Sequence, residues 1–277
     1  MSGRYLPEVP EASARETVAS TYEDIRQVVG LPLVNLVYRT LAVVPDRLEA
    51  VWAELRPNLR AAAAGTGAAE LLALAALPGR PVRIPPAALA AVGIGGGELE
   101  RVAATLDAYG HANPRNLLAV SALLEGAEGG RGAAAREAGP GPATELLPMA
   151  DLDSLAPSVR ALLEEMGAPI AGAGTPVLVP SLFRHFAHNG CLLALVWTVL
   201  APLVSSEGYA RAVERVAVRA RELARELPSP VACAEDPELR AVLERFAQVI
   251  PRMVVAGAAV RRALPAPRGK EPGAPGG

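Results

Sequence analysis

The sequence predicts an all-α protein: a pseudo-dimer of two homologous helical repeats joined by a Gly/Pro/Ala-rich linker. Three observations predict it. Apolar residues recur at the three-to-four spacing of a helix along most of the chain, with no convincing period-two run. Blocks of the first half return in the same order in the second. Between them lies a stretch, GAEGGRGAAAREAGPGP, that reads as a flexible join.

The repeat is anchored by the only two tryptophans, Trp52 and Trp197, which stand 145 residues apart. The same offset pairs Leu33 with Leu178, Arg39 with Arg184, Leu48 with Leu193 and Pro57 with Pro202. A second block matches at an offset of 137 and pairs Leu106 with Leu243, Tyr109 with Phe246, Pro114 with Pro251 and Arg115 with Arg252. A weaker match sets Glu23-Asp24 over Glu164-Glu165. The organisation expected is repeat 1 over 1–125, a linker over 126–142, repeat 2 over 143–264 and a disordered tail over 265–277.

Taken in order, residues 14–29 carry an apolar face at Val18, Tyr22, Ile25 and Val29, and 46–56 carry one at Leu48, Val51, Trp52 and Leu55. Helices are expected at 98–106 and 114–124 as separate pieces, because Asn113-Pro114 reads as an N-cap followed by a first-turn proline. Residues 209–227 and 237–249 give two more, and Pro251 again suits a first turn. In the helix after Pro45, the charges Asp46, Arg47, Glu49, Glu54 and Arg56 become Cys191, Leu192, Ala194, Val199 and Ala201 in the second copy. A helix apolar all round is buried all round. So 191–201 is expected to be the central helix, or to lie in a subunit interface.

Composition narrows the function. With 51% hydrophobic residues and 20% charged, the chain is no disordered protein. A net charge of -2 argues against nucleic acid as a partner. Of 27 basic residues only Lys270 is lysine, a coding bias rather than a signal. Two cysteines without C-x-x-C spacing offer no redox pair or disulfide framework. The N-terminus lacks the apolar core of a secretory signal, and the uncharged run after Arg184 is broken by His188, Asn189, Gly190 and Pro202, so neither export nor a membrane span is expected. A reduced, cytoplasmic protein is the reading.

Candidate chemistry is sparse. His185, His188 and Cys191 could share a helix face as zinc ligands, but Asn189-Gly190 breaks that helix and no carboxylate lies near, so core histidines and no metal are expected. The glycines 93–97 follow no strand, which removes a dinucleotide site. Arg39 and Arg184 occupy equivalent places in an apolar helix and must be paired; two symmetric ion pairs are expected, in preference to a ligand-binding arginine. The repeat equivalent of Asn113 is Ile250, so a polar residue there is not demanded by the fold. Thr66 and Glu70, one turn apart on an Ala-rich helix, are either a helix start with a solvated acid or a small polar site.

The segment IRQVVGLPLVNLVYRTLAVVPDRLEAVWAELRPNL, its second copy over 175–204, and the block HANPRNLLAVSALL resemble the DehI-type (group I) α-haloacid dehalogenases. The resemblance covers most of 14–264 and rests on the order of blocks. It implies an all-helical pseudo-dimer that hydrolyses a small 2-halocarboxylic acid without a cofactor, with water activated by an Asp attacking the carbon directly. By that resemblance Asn113 positions the water, Thr66 and Glu70 are a further catalytic pair, and Leu33, Leu36, Asn116, Ser181 and Leu182 contact the substrate. The family's Asp falls within Ser181-Leu182-Phe183-Arg184, on Leu182, and no Asp or Glu occurs anywhere over 170–206. Dehalogenation is therefore set against two alternatives: a non-catalytic protein of the same fold holding a small carboxylic acid or other small apolar ligand, or a relative of the AhpD-like proteins without their redox cysteines. A further homodimer is compatible with the charge-free helix.

Overall fold

The computed structural model describes residues 4–129, 145–172 and 176–265. The tail expected over 265–277 and most of the linker lie outside the described residues. The described residues form eleven α-helices and no named strand: α1 (Glu16–Val29), α2 (Leu36–Leu41), α3 (Pro45–Arg60), α4 (Ala62–Leu74), α5 (Pro86–Ala91), α6 (Gly96–Glu125), α7 (Pro157–Ala171), α8 (Ser181–Phe186), α9 (Gly190–Val204), α10 (Glu207–Arg225) and α11 (Pro237–Ala263). Helices α2 and α8, α3 and α9, and α4 and α10 each begin 145 residues apart.

Local sequence explains the boundaries. Helix α1 buries the face Val18, Tyr22, Ile25 and Val29 and stops at Gly30, whose φ of 73° is the left-handed conformation that glycine adopts without a Cβ clash. Helices α3, α7 and α11 each begin with proline, whose missing amide hydrogen is no loss in a first turn. Helices α9, α10 and α11 are capped by Asn189, Ser206 and Asp236, each accepting a backbone N–H. One side-chain contact recurs in both halves: the Trp52 indole donates to Asp24 (2.7 Å) and the Trp197 indole to Glu165 (2.9 Å).

Helices α6 and α11, the two longest, pack on each other along the middle of the molecule, and α4 and α10 lie against them. The core runs from Ile25 and Leu48 through Leu106 and Phe183 to Val255 without a break.

Three expectations need correction. The pieces expected at 98–106 and 114–124 are one helix, and Pro114 sits inside it, as Pro251 does inside α11. An internal proline removes one helical hydrogen bond and costs about 3 kcal/mol; burial of eighteen α6 residues outweighs it. Asn113 is consequently no cap. Second, α9 is not the central helix. Leu192, Leu193, Val196, Val199 and Leu200 face inward, but Cys191, Ala194 and Thr198 are exposed. Of the positions that lost a charge, Leu192 and Val199 are buried, while Cys191 and Ala194 leave an apolar patch on the surface. Third, the start of the linker is held: Ala127 pairs with Val231 in an isolated bridge.

Among the described residues no single helix is long and apolar enough to cross a membrane, and no group of His, Cys, Asp and Glu is placed to hold a metal. His188 is exposed beyond the end of α8 and Cys191 is exposed on α9.

Candidate active site

A small buried cavity forms where the starts of α2 and α8 meet the middles of α6 and α11. Its volume is about 50 Å³. One water needs roughly 10–15 Å³ of such a cavity, so the space suits a few waters or a small organic molecule.

The lining follows the sequence offsets and is lopsided. The first half supplies Asn35, Tyr109, Asn113 and Asn116; the positions matched to them supply Pro180, Phe246, Ile250 and Met253. At the helix starts the order reverses, with Leu36 and Val37 facing Ser181 and Leu182. The result is a polar wall of three carboxamides and a phenol opposite an apolar wall, a surface suited to a small ligand with a polar end and an apolar end.

The three carboxamides make no side-chain hydrogen bond among the described residues, and the Asn35 and Asn116 Oδ1 atoms are fully buried without a partner. A buried amide left unpaired costs about 1–3 kcal/mol. Each amide can turn either its oxygen or its NH2 group to the cavity, so together they offer donors and acceptors to whatever fills it.

Behind the wall runs a satisfied polar chain. His185 donates from Nδ1 to the Leu147 carbonyl (2.6 Å), which leaves Nε2 to accept from the Tyr109 hydroxyl (3.1 Å). Burial pushes the His185 ring down to about 4, and burial pushes the Tyr109 phenol up to about 12. Both groups are neutral at pH 7, and neither is a base of useful strength there. Arg39 donates to Ser181 Oγ (3.0 Å) and to the Val34 carbonyl.

Arg39 and Arg184 are not two symmetric pairs. Both bind one acid, Glu8: Arg39 Nε to Oε2 and Arg184 Nη1 to Oε1, each at 2.7 Å. Glu8 belongs to the arm before α1, which bonds to the second half through Leu6 and Val177 (2.9 Å) and to the first through Val9 and Arg39 (2.9 Å). The pair of arginines is repeated; its counter-ion is not.

Of the residues named from the sequence, Leu36, Asn113, Asn116, Ser181 and Leu182 come together in the cavity. Leu33 lies apart, in a neighbouring space lined by Arg39, His185 and Tyr109. Thr66 and Glu70 are outside both: Thr66 is exposed and bonds back to the Ala62 carbonyl (3.2 Å), and Glu70 is held on the surface by Arg219 (2.7 Å). Thr66 and Glu70 project from the outward side of α4, which separates them from the cavity. Sequence reasoning missed Asn35 and Tyr109 as lining residues and Glu8 as the bridge. Tyr109 carried a signal, since it is the hydroxylated member of the Tyr109/Phe246 pair. Asn35 and Glu8 carried none. Among the described residues no Asp, Glu, His, Lys or Arg lines the cavity.

No family model matches the chain. A configuration-inverting 2-haloacid dehalogenase of Alcaligenes xylosoxydans xylosoxydans is 30% identical over 235 residues, which are 81% of this chain and 78% of that protein. Another, from Pseudomonas sp. (strain 113), is 30% identical over 134 residues, 47% of this chain and 44% of that protein. Among solved structures, a D-2-haloacid dehalogenase mutant superposes with a TM-score of 0.77 at 16% identity, and a D-2-haloacid dehalogenase complexed with L-LA with 0.73 at 17%, each covering 94% of both chains. With Asn113, Ser181 and Leu182 gathered at one cavity on this shared helical frame, the chain belongs to the family of the configuration-inverting 2-haloacid dehalogenases.

Proposed function

We propose that this protein uses the cavity to hold a small carboxylic acid and does not dehalogenate it. The observation that carries the reading is Leu182. It lines the cavity beside Ser181 and Asn113, is 1% exposed, and has no acidic or basic side chain for company there. A leucine takes no proton from water. General-base assistance contributes about 10²–10⁴-fold, and in the mechanism implied by the resemblance the same group also generates the nucleophile. Glu70, the other acid considered from the sequence, points away and is engaged by Arg219.

Binding of a small acid fits the three unpartnered carboxamides and the apolar wall opposite them. One structural neighbour is a D-2-haloacid dehalogenase mutant in complex with D-2-CPA, and another is a D-2-haloacid dehalogenase in complex with L-LA. The protein we envisage needs no cofactor, resides in the cytoplasm, and arose by duplication of a helical unit with the charge-free outer face of α9 available for a homodimer.

The test is to incubate purified protein with each enantiomer of 2-chloropropionate, follow chloride release, and measure binding by saturation-transfer NMR. Saturable binding without chloride release is expected, with release appearing in Leu182→Asp. Release by the unaltered protein that is lost in Asn113→Ala would overturn the non-catalytic reading. Absence of any binding would overturn the small-acid reading.

A further inference from the structure

A second cavity lies on the opposite side of α6. It is a groove of about 550 Å³ between α4, α6 and α11. Helix α6 serves both spaces: Tyr109, Asn113 and Asn116 face the first, while Gly110, His111 and Arg115 face this one.

The groove contains an unbalanced buried charge. Three arginines are buried among the described residues, and two of them, Arg39 and Arg184, share Glu8. The third, Arg115, is only 9% exposed and has no carboxylate within bonding distance among the described residues. Its one hydrogen bond goes from Nη1 to the His111 carbonyl (2.8 Å). Burying a cation without a counter-ion costs several kcal/mol, so such groups are paired in the working state. The guanidinium also has space made for it. A Cβ on Gly65 would come within 3.3 Å of Arg115 Nη2, and a helical glycine costs about 1 kcal/mol against alanine. Burial draws the Arg115 pKa below the usual arginine value, as expected of a cation held out of water with no carboxylate beside it.

The α4 side of the groove is apolar. Leu72, at 37% exposure, and the small residues Ala69 and Ala73 form its α4 wall, with Ala76 just beyond the helix end; from Gly65 beside Arg115 to Leu74 the helix runs about 14 Å. At the far end Arg262 bonds only the Leu77 carbonyl (3.1 Å), while Arg261 is paired with Asp107 (2.7 Å).

The molecule carries its own comparison. At the offset of 137, Arg115, Asp107 and Arg262 correspond to Arg252, Glu244 and Glu125 of a groove on the other side. There an acid stands in place of Arg262, and Glu125 and Glu244 are paired with arginines of the same groove, Arg221 and Arg240. Only the first groove combines a buried unpaired arginine, a second cation and an apolar wall. We infer that the groove between α4, α6 and α11 binds an anionic amphiphile, a medium-chain carboxylate whose head group pairs with Arg115 and whose alkyl chain lies along Leu72, Ala73 and Ala76.

Octanoate is the probe, with 1-octanol as its uncharged counterpart, titrated into the full chain by calorimetry. Saturable octanoate binding is expected, with octanol at least tenfold weaker. Arg115→Gln and Arg262→Glu should each weaken octanoate at least tenfold, the latter copying the other groove. Because Arg115→Gln could unsettle the fold, Ala73→Trp fills the groove from an exposed position and should abolish binding while leaving the circular dichroism unchanged. Asn113→Ala, on the other face of α6, should leave octanoate binding as it is. No saturable binding, equal binding of octanol, or undiminished binding in Ala73→Trp would overturn the inference.

Discussion

Glu8→Gln is the most informative single change for the frame of this protein. The Glu8 carboxylate accepts from Arg39 and Arg184 at 2.7 Å each, and the two guanidinium side chains are only 1% and 10% exposed. Glutamine preserves the shape and one acceptor but removes the charge. Two buried cations are then left without their counter-ion, a break that costs about 3–5 kcal/mol in comparable settings. At about 2–4 °C per kcal/mol for a chain of this size class, the thermal midpoint should fall by roughly 6–20 °C. Circular dichroism at the helical band measures it.

The acid limb of the stability curve gives an independent check. Burial by itself would raise the Glu8 carboxyl, but the charges and hydrogen bonds of Arg39 and Arg184 outweigh it and hold the group below its usual value of 4.5. A depressed carboxyl stabilises the fold fully above the unfolded value and loses that contribution as pH falls through the lower, folded one. The unaltered protein should therefore lose stability below about pH 4.5, and Glu8→Gln should lack that part of the loss. A double-mutant cycle with Arg39→Met isolates the pair. A fall in midpoint under about 2 °C, or simple additivity in the cycle, would refute the shared-bridge account.

Phe186, fully buried, should cost about 3–5 kcal/mol on change to alanine, read as a lowered urea midpoint with an unchanged slope. His185 should show no NMR titration of its ring between pH 8 and 5, since burial has driven it to about 4. Because the folded ring resists protonation that the unfolded chain accepts near 6.5, its contribution to stability should decline from about pH 6.5 down to about 4 and level off below. Glu70→Gln and Thr66→Ala should leave small-acid binding unchanged, and loss of the half-exposed Glu70–Arg219 pair should cost no more than about 1 kcal/mol by chemical denaturation.

The helices were legible because their apolar spacing reports directly which face is buried, as at Val18, Tyr22, Ile25 and Val29. The Asn113-Pro114 boundary was misread because cap and first-turn signals are local, whereas the helix continues through proline on the strength of long-range packing against α11. The charge-free α9 was misread because apolar sequence states what a helix tolerates, not how many neighbours it meets. The site was half legible. Asn113 stood out as a departure from repeat symmetry, against Ile250, and Leu182 stood out only against the acid that the family resemblance implies at its position. Glu8 could not, because it lies ahead of the matched blocks and reaches both halves only through the folded path of the arm.

The cavity also offers a test of the proposed role of Leu182. A carboxylate at this position would be almost wholly buried, and its desolvation must be offset by hydrogen-bond donors. Donors are at hand: the carboxamides of Asn35, Asn113 and Asn116 line the same space and bond to no other side chain. Leucine needs none of them, and its Cδ2 comes to 3.7 Å of where a Cβ on Gly257 would stand. A leucine here thus carries no such cost of burial and leaves the carboxamide wall with unspent hydrogen-bonding capacity. If that wall is still shaped for an anion, Leu182→Asp should fold with a small change in midpoint, because the amides receive the charge. If the wall has been reshaped for a neutral ligand, the same substitution should instead destabilise the protein by several kcal/mol, the cost of an unpaired buried charge. The thermal midpoint of Leu182→Asp therefore decides whether the amides are set for an anion, before any substrate is added.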